Sequence, residues 1–128
     1  MSMKSKGIAA ERELIHILWK HNYAAARVAG SGSSRYPSCD ILAGNTIRKF
    51  AFECKSIKKG SRYIPKSEMD EFCLFAKTFG AEPWIAVRFA GKKWHFIMPE
   101  DMIDTPRSKG ISAALIQVKG LLIEELLQ

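Results

Sequence analysis

The chain has 128 residues, of which 47% are hydrophobic and 26% charged, and 20 lysines and arginines against 13 aspartates and glutamates give a formal net charge of +7. These values indicate one globular domain, residues 1–128, and exclude a disordered or low-complexity polypeptide. The charge favours a polyanionic partner, and improved solubility is the alternative explanation.

The cysteines and the apolar segments argue against several other classes of protein. Cys39, Cys54 and Cys73 match no zinc or redox motif, which favours small core side chains in a reducing compartment. The N-terminus has no apolar signal segment, and no stretch is long enough to span a membrane. The sequence therefore predicts a cytoplasmic protein with no membrane association and no small-molecule cofactor.

The predicted elements begin with a flexible basic arm at residues 1–6 and a helix from Ile8 to about Asn22. The elements that follow are a strand at Tyr23–Val28, a Gly- and Ser-rich loop at Ala29–Ser38, strands at Cys39–Ala43 and Ile47–Ile57, an extended piece at Tyr63-Ile64, a helix from the N-cap Ser67 to Phe79 before Gly80, and a hairpin of Glu82–Phe89 and Lys92–Met98 turning at Gly91.

The C-terminal tail, residues 104–128, is less regular in its pattern. A short helix is predicted at Leu121–Leu127, and Ile111–Val118 fits either a helix or a strand. The order of elements predicts an α/β fold, a single mixed-sheet domain flanked by helices.

Glu11 is a carboxylate in an apolar position. On a helical wheel it lies near the middle of the arc that includes Ile15 and Leu18, whereas Glu13 lies on the opposite side. A carboxylate that faces a core needs a cationic partner or a metal ion. Taken alone, Glu11 fits a buried salt bridge and a functional role equally well.

The strand Ile47–Ile57 carries a second pair of misplaced charges. Glu53 and Lys55 share one face of this strand and follow directly from a buried apolar stretch. A surface strand with a Glu–Lys pair is the structural alternative. That alternative is weaker here because two other acids accompany Glu53 and Lys55: Glu11, which occupies an apolar position, and Asp40, which lies one hairpin earlier.

Asp40, on the preceding strand, shares the Glu53 face in either of two hairpin registers. A wide turn centred between Thr46 and Ile47 places Asp40 opposite Glu53. A two-residue turn on Gly44-Asn45 places it opposite Lys49 instead, several residues from Glu53. We favour the wide turn because it brings the two acids together.

Two or three carboxylates beside a lysine, on a basic protein, are suited to phosphodiester hydrolysis. Oxygen ligands select hard divalent cations, which predicts Mg²⁺ with Mn²⁺ as a substitute. The ion would polarise the phosphate and activate a water molecule, and Lys55 would orient that water or offset developing charge. A set of cations surrounds these acids and predicts contacts to DNA phosphates: Arg12, Arg27, Arg35, Lys58, Lys59, Arg62 and Lys66.

Four segments resemble the archaeal Holliday-junction resolvases, a family within the restriction-endonuclease-like nucleases. These segments are Gly7-Ile8-Ala9-Ala10-Glu11-Arg12-Glu13-Leu14, Arg27-Val28-Ala29-Gly30-Ser31-Gly32-Ser33, Asp40-Ile41-Leu42-Ala43-Gly44-Asn45 and Phe52-Glu53-Cys54-Lys55-Ser56. The resemblance runs from about Lys6 through Met98. It implies a restriction-endonuclease-like fold and a homodimer that cuts four-way DNA junctions in recombination and repair.

The resemblance also implies roles for individual residues. Glu11, Asp40, Glu53 and the backbone carbonyl of Cys54 would bind Mg²⁺, and Lys55 would be catalytic. Arg12 and Ser31 match residues that matter for cleavage, although the run of serines from 31 to 34 leaves the choice of serine open. Cys54 departs from the aliphatic residue that is usual in the family.

A dimer is also suggested by the number of apolar residues in the second half of the chain. Met69, Phe72, Phe75, Ala76 and Phe79 share one broad helix face, and Trp84, Trp94 and Phe96 lie on the late hairpin. A core that contains all of them is an equally good explanation. The functional alternatives are another nuclease of the same superfamily, acting on duplex or flapped DNA, and a non-catalytic DNA-binding module.

Overall fold

The computed structural model describes residues 3–30, 33, 35–89 and 93–128, with side chains from Lys6 onward. Its elements are α1 (Met3–Lys20), β1 (Ala24–Arg27), β2 (Ile41–Gly44), β3 (Lys49–Ile57), β4 (Ser61–Pro65), α2 (Lys66–Phe79), β5 (Glu82–Phe89), β6 (Trp94–Ile97), a 3-10 turn (Pro99–Asp101), β7 (Ile103–Asp104), β8 (Ser108–Ser112), α3 (Ala113–Lys119) and α4 (Ile123–Leu126). The mixed α/β prediction is confirmed. None of the described helices is both long and apolar enough to cross a membrane.

The central sheet has five strands in the order β1-β2-β3-β5-β6. Only the β3–β5 pair is parallel, and the other neighbours are antiparallel. Alternate residues of β3 face opposite layers: Phe50 and Phe52 join the cluster of α1, whereas Ala51 and Ile57 join the cluster of α2. The sheet is thus covered on both faces, and polar groups on β3 can lie only where this cover ends.

The wide turn between β2 and β3 is confirmed. Gly44 pairs with Lys49 and Ile41 pairs with Phe52, so the turn is centred between residues 46 and 47. The side-chain oxygen of Asn45 accepts hydrogen bonds from the N–H groups of Ile47 and Arg48, both at 2.8 Å. Because these bonds satisfy the turn backbone, Asn45 stabilises a four-residue loop rather than a two-residue one.

Two strands near the C-terminus, β7 and β8, join β4 in a second sheet that the sequence pattern did not predict. Its three strands have the order β4-β8-β7. Residues 111 and 112 are strand and the helix α3 begins at Ala113, so the ambiguous segment contains both structures. A side chain at Gly110 would clash with the ring of Tyr63, its cross-strand partner. Gly110 therefore permits the ring to lie over the strand.

Several predicted boundaries need correction. The helix α1 begins at Met3, so residues 3–6 are helical and not a flexible arm. The N-cap of α2 is Pro65, not Ser67, because the helix begins at Lys66, two residues earlier than the pattern indicated. Gly80 ends α2 in the left-handed conformation (φ 87°), as predicted. The predicted hairpin turn at Gly91 lies outside the described residues.

Candidate active site

Strand β3 presents Glu53 and Lys55 together on the face of the sheet that α2 covers. Lys55 Nζ lies 3.3 Å from Glu53 Oε2, and the two side chains are 14% and 12% exposed. This contact follows from the two-residue period of the strand. Two ionisable side chains are thus nearly buried beside the apolar core.

Asp40 lies where β2 leaves its regular pairing with β3. Its N–H donates to the carbonyl of Phe52 (2.9 Å), although Phe52 is already the partner of Ile41. Its carboxylate accepts the N–H of Cys54 at 2.8 Å. Asp40 therefore contacts β3 through its backbone N–H and its carboxylate, and it does not form a regular strand pair with Glu53. The carboxylates of Asp40 and Glu53 nevertheless line the same cavity.

This first cavity has a volume of about 360 Å³ and a strongly acidic lining. Its acidic residues are Asp40, Glu53, Glu68 and Glu71. Glu68, in the first turn of α2, places Oε2 at 3.2 Å from Lys55 Nζ, so the lysine is held between two carboxylates. No local pattern in the sequence predicts Glu68 as a site residue, because only the packing of α2 across β3 brings it to the site.

Burial and the nearby acids raise the pKa of Glu53. Loss of solvent is the larger cause and the charge of Asp40 is the next, and together they raise the pKa to about 7 despite the opposing effect of Lys55. At neutral pH the charged form of Glu53 is therefore disfavoured in this cavity. A cation bound beside Glu53 would favour that charged form.

Glu11 is largely buried, as the helical wheel predicted, and it forms an ion pair. Arg27 Nε on β1 donates to Glu11 Oε1 at 3.0 Å, and the glutamate side chain is 18% exposed. Burial and the charge of Asp40 raise the pKa of Glu11, while Arg27 opposes the rise. Glu11 is thus close enough to Asp40 to interact electrostatically, although its direct partner is an arginine.

Glu13, which the helical wheel places on the side opposite Glu11, also has partners in the folded chain. Its carboxylate accepts the indole N–H of Trp94 at 3.1 Å and lies 3.1 Å from Arg88 Nη2. The wheel placed Glu13 correctly relative to Glu11, but the sheet extends far enough to meet both sides of α1.

The described residues contain no group of three His, Cys, Asp or Glu side chains close enough to hold a metal ion. The acidic donors that share the first cavity with Asp40 and Glu53 belong to α2, and Glu11 lines a different cavity. The residues present nevertheless fit a hard cation such as Mg²⁺, because that ion is commonly held by one or two carboxylates and completes its shell with water.

The predicted DNA-contacting cations are divided between exposed and paired positions. Arg12, Arg35, Lys58 and Lys59 are exposed. The three other cations bind groups within the protein: Arg27 pairs with Glu11, Arg62 donates to the carbonyl of Ser56 at 3.0 Å, and Lys66 pairs with Asp104 at 3.0 Å. Lys66 is therefore paired with a residue of the second sheet.

Ser31 lies outside the described residues.

The three cysteines are free thiols, and burial raises the pKa of Cys39 to about 12 and that of Cys54 well above its usual value. Cys54 thus contributes its backbone to this site and not a thiolate.

A family model and two relatives identify the family to which this chain is similar. A family model described as "Archaeal holliday junction resolvase (hjc)" matches residues 2–128. The crossover junction endodeoxyribonuclease Hjc of Archaeoglobus fulgidus is 44% identical over 102 residues, which cover 80% of this chain and 74% of that protein. The crossover junction endodeoxyribonuclease Hje of Saccharolobus solfataricus is 33% identical over 103 residues, which cover 77% and 75%.

A solved structure is also similar over nearly its whole length. The 1.6 Å structure of Archaeoglobus fulgidus Hjc, a Holliday junction resolvase from an archaeal hyperthermophile, superposes with a TM-score of 0.87 at 37% identity. The match covers 92% of this chain and 95% of that one.

Proposed function

This chain belongs to the archaeal Holliday junction resolvase family, and from that premise we propose that it hydrolyses phosphodiester bonds of four-way DNA junctions at Asp40, Glu53 and Lys55. It is a crossover junction endodeoxyribonuclease, as its family is. The observation that carries the assignment of the site is the acidic cavity lined by Asp40, Glu53 and Glu68, together with the ion pairs that hold Lys55 between Glu53 and Glu68.

Lys55 acts as a fixed donor in this proposal. Its two carboxylate partners hold the ammonium group in place, and a positioned cation stabilises the charge that develops on a phosphate in the transition state. Because the side chain is only 14% exposed, this interaction is screened less than it would be at the surface.

Asp40 and Glu53 would hold the divalent cation, and we propose Mg²⁺, with Mn²⁺ as a substitute. The bound cation would supply Lewis acidity at the scissile phosphate. The hydrogen bond from Cys54 N–H fixes the Asp40 carboxylate at the cavity, and the raised pKa of Glu53 is consistent with a position that a cation normally neutralises.

We keep Glu11 as a proposed metal ligand because its carboxylate interacts electrostatically with Asp40. The carboxylate would then contact both the cation and its ion-pair partner Arg27. The backbone carbonyl of Cys54 as a ligand and the catalytic roles of Arg12 and Ser31 remain predictions from the family resemblance.

Cleavage of synthetic DNA tests this function directly. With Mg²⁺, the protein is expected to make paired symmetric nicks in a four-way junction even in an excess of linear duplex, and to make none in EDTA. Comparable cutting of the duplex competitor would indicate a nuclease of different substrate range. Tight binding without any cutting, in either Mg²⁺ or Mn²⁺, would indicate a non-catalytic module.

We also propose that the protein is a homodimer, through an apolar face formed by the ends of α1 and α2 beside β1. Exposed apolar side chains on this face are Trp19 (57%) and Phe79 (50%), which line one cavity, and Phe75 stacks on Phe79 at 5.7 Å. In contrast, Met69, Phe72, Ala76, Trp84, Trp94 and Phe96 are all buried. Only part of the apolar surface that the sequence suggested for a dimer is therefore available.

Replacing Phe79 with Asp should convert the dimer to a monomer, because a charge on an apolar interface must be desolvated when the interface forms. Light scattering after gel filtration should then give a mass of 14.4 kDa instead of twice that value. Val118→Asp is the matched control, since Val118 is 78% exposed on α3. A Phe79→Asp protein that still has the dimer mass would place the interface elsewhere.

A further inference from the structure

A second cavity lies on the other face of β3. Its volume is about 410 Å³, and Cys54 and Ser56 line it from the strand, whereas Glu53 lines the first cavity. Its charged lining residues are Lys6, Lys58, Arg62 and Glu11. The first cavity is lined by four carboxylates, so the two cavities on opposite faces of one strand have opposite charge.

The cations of the second cavity outweigh its acid. Glu11 is already paired with Arg27 at 3.0 Å, which leaves Lys6, Lys58 and Arg62 as the charges that a ligand would meet. Lys6, Lys58 and Arg62 are all exposed side chains. Such a lining is complementary to an anion and not to a metal ion.

Two residues that line this cavity are held in place by hydrogen bonds before any ligand binds. Arg62 Nη1 donates to the carbonyl of Ser56 at 3.0 Å, which holds the guanidinium against the end of β3. Trp94, another lining residue, is 4% exposed, and its indole N–H is bound to Glu13. A preformed site loses less side-chain freedom on binding than a flexible surface does.

Gly7 is the feature that packing does not explain. It lies inside α1, where a glycine destabilises a helix relative to alanine, and its backbone does not have the positive φ that would require glycine. A methyl group at Gly7 would have no heavy atom within 4 Å, so no neighbouring side chain requires the space. Gly7 lines the second cavity, where a side chain would extend into open space.

We propose that the second cavity binds a backbone phosphate of the DNA, contacted by Lys6, Lys58 and Arg62, and that Gly7 leaves the room for it. This inference rests on the proposed function, because the phosphate belongs to the DNA whose scissile bond lies at Glu53. The DNA would then be held on both faces of β3, with its reacting phosphate at the acidic cavity and another phosphate at the basic one.

Binding of a synthetic four-way junction in EDTA tests the proposal without cleavage. Fluorescence anisotropy between about 0.05 and 0.2 M salt should show that Arg62→Gln and Lys58→Gln each lower the slope of log affinity against log salt by about 1. Gly7→Leu, which fills the cavity without changing a charge, should weaken binding about tenfold and should not lower the thermal midpoint. Lys119→Gln, an exposed lysine on α3, is the control.

Wild-type affinity and slope in both Gly7→Leu and Arg62→Gln would overturn the proposal, as would an equal loss in Lys119→Gln. If Gly7→Leu does not fold, Arg62→Gln and Lys58→Gln decide. The proposed function is tested separately, by cleavage with Mg²⁺. A wild-type protein that fails to cut junctions, but whose variants show the expected slopes, would contradict the function and leave the phosphate site standing.

Discussion

Replacing Asp40 with Asn or Glu53 with Gln is expected to reduce cleavage of a four-way junction by at least about 10³-fold, which corresponds to roughly 4 kcal/mol in the barrier. Both carboxylates face the acidic cavity, and neither amide can replace an ionised oxygen ligand of a hard cation. Single-turnover cleavage with saturating enzyme and Mg²⁺ measures this loss apart from any change in binding.

Junction binding should behave in the opposite way. In EDTA both variants should bind the junction as tightly as the wild-type protein or more tightly, because a carboxylate that faces DNA phosphates has been removed. Glu124→Gln, an exposed acid on α4, is the control and should change neither property. Near-wild-type cleavage by Glu53→Gln would refute the assignment of this cavity as the active site.

The parts of the site that the sequence predicted are those governed by local periodicity. The two-residue period of β3 places Glu53 beside Lys55, and the helical wheel makes Glu11 an inward-facing residue. The hairpin register could be narrowed to two alternatives. Asn45 decides between them, because its side chain bonds the backbone of a wide turn.

The parts that could not be predicted depend on contacts between distant segments. Glu68 reaches Lys55 only through the packing of α2, and Arg27 reaches Glu11 from a different element. The strand β8 pairs with β4, about 47 residues earlier, and its sequence Ser108–Ser112 contains Gly110 and no clear apolar alternation. A pairing of this kind leaves no signal in either segment alone.

The same burial that suits Glu53 to catalysis should make it destabilising when no cation is present. In divalent-free buffer at pH 8, Glu53→Gln is expected to be more stable than the wild-type protein by up to about 3 kcal/mol. This free energy follows from the difference between the pKa of Glu53 in the folded protein, about 7, and the value of 4.5 for the exposed group. Glutamine keeps the volume of the side chain and removes the charge that burial and Asp40 disfavour.

The pH dependence of this difference has a definite sign. A raised pKa means that the folded protein binds the Glu53 proton more tightly than the unfolded chain, so wild-type stability falls as the pH rises from about 4.5 to about 7. Urea unfolding followed by tryptophan fluorescence, at one protein concentration, should therefore show the two proteins converging near pH 4 and separating by pH 8. Mg²⁺ should narrow the gap by stabilising the wild-type protein alone, since a ligand stabilises only the form that binds it. If Glu53→Gln is instead the less stable protein at pH 8, the ion pair with Lys55 outweighs the burial of the carboxylate, and Glu53 is held by its lysine without any need for a cation.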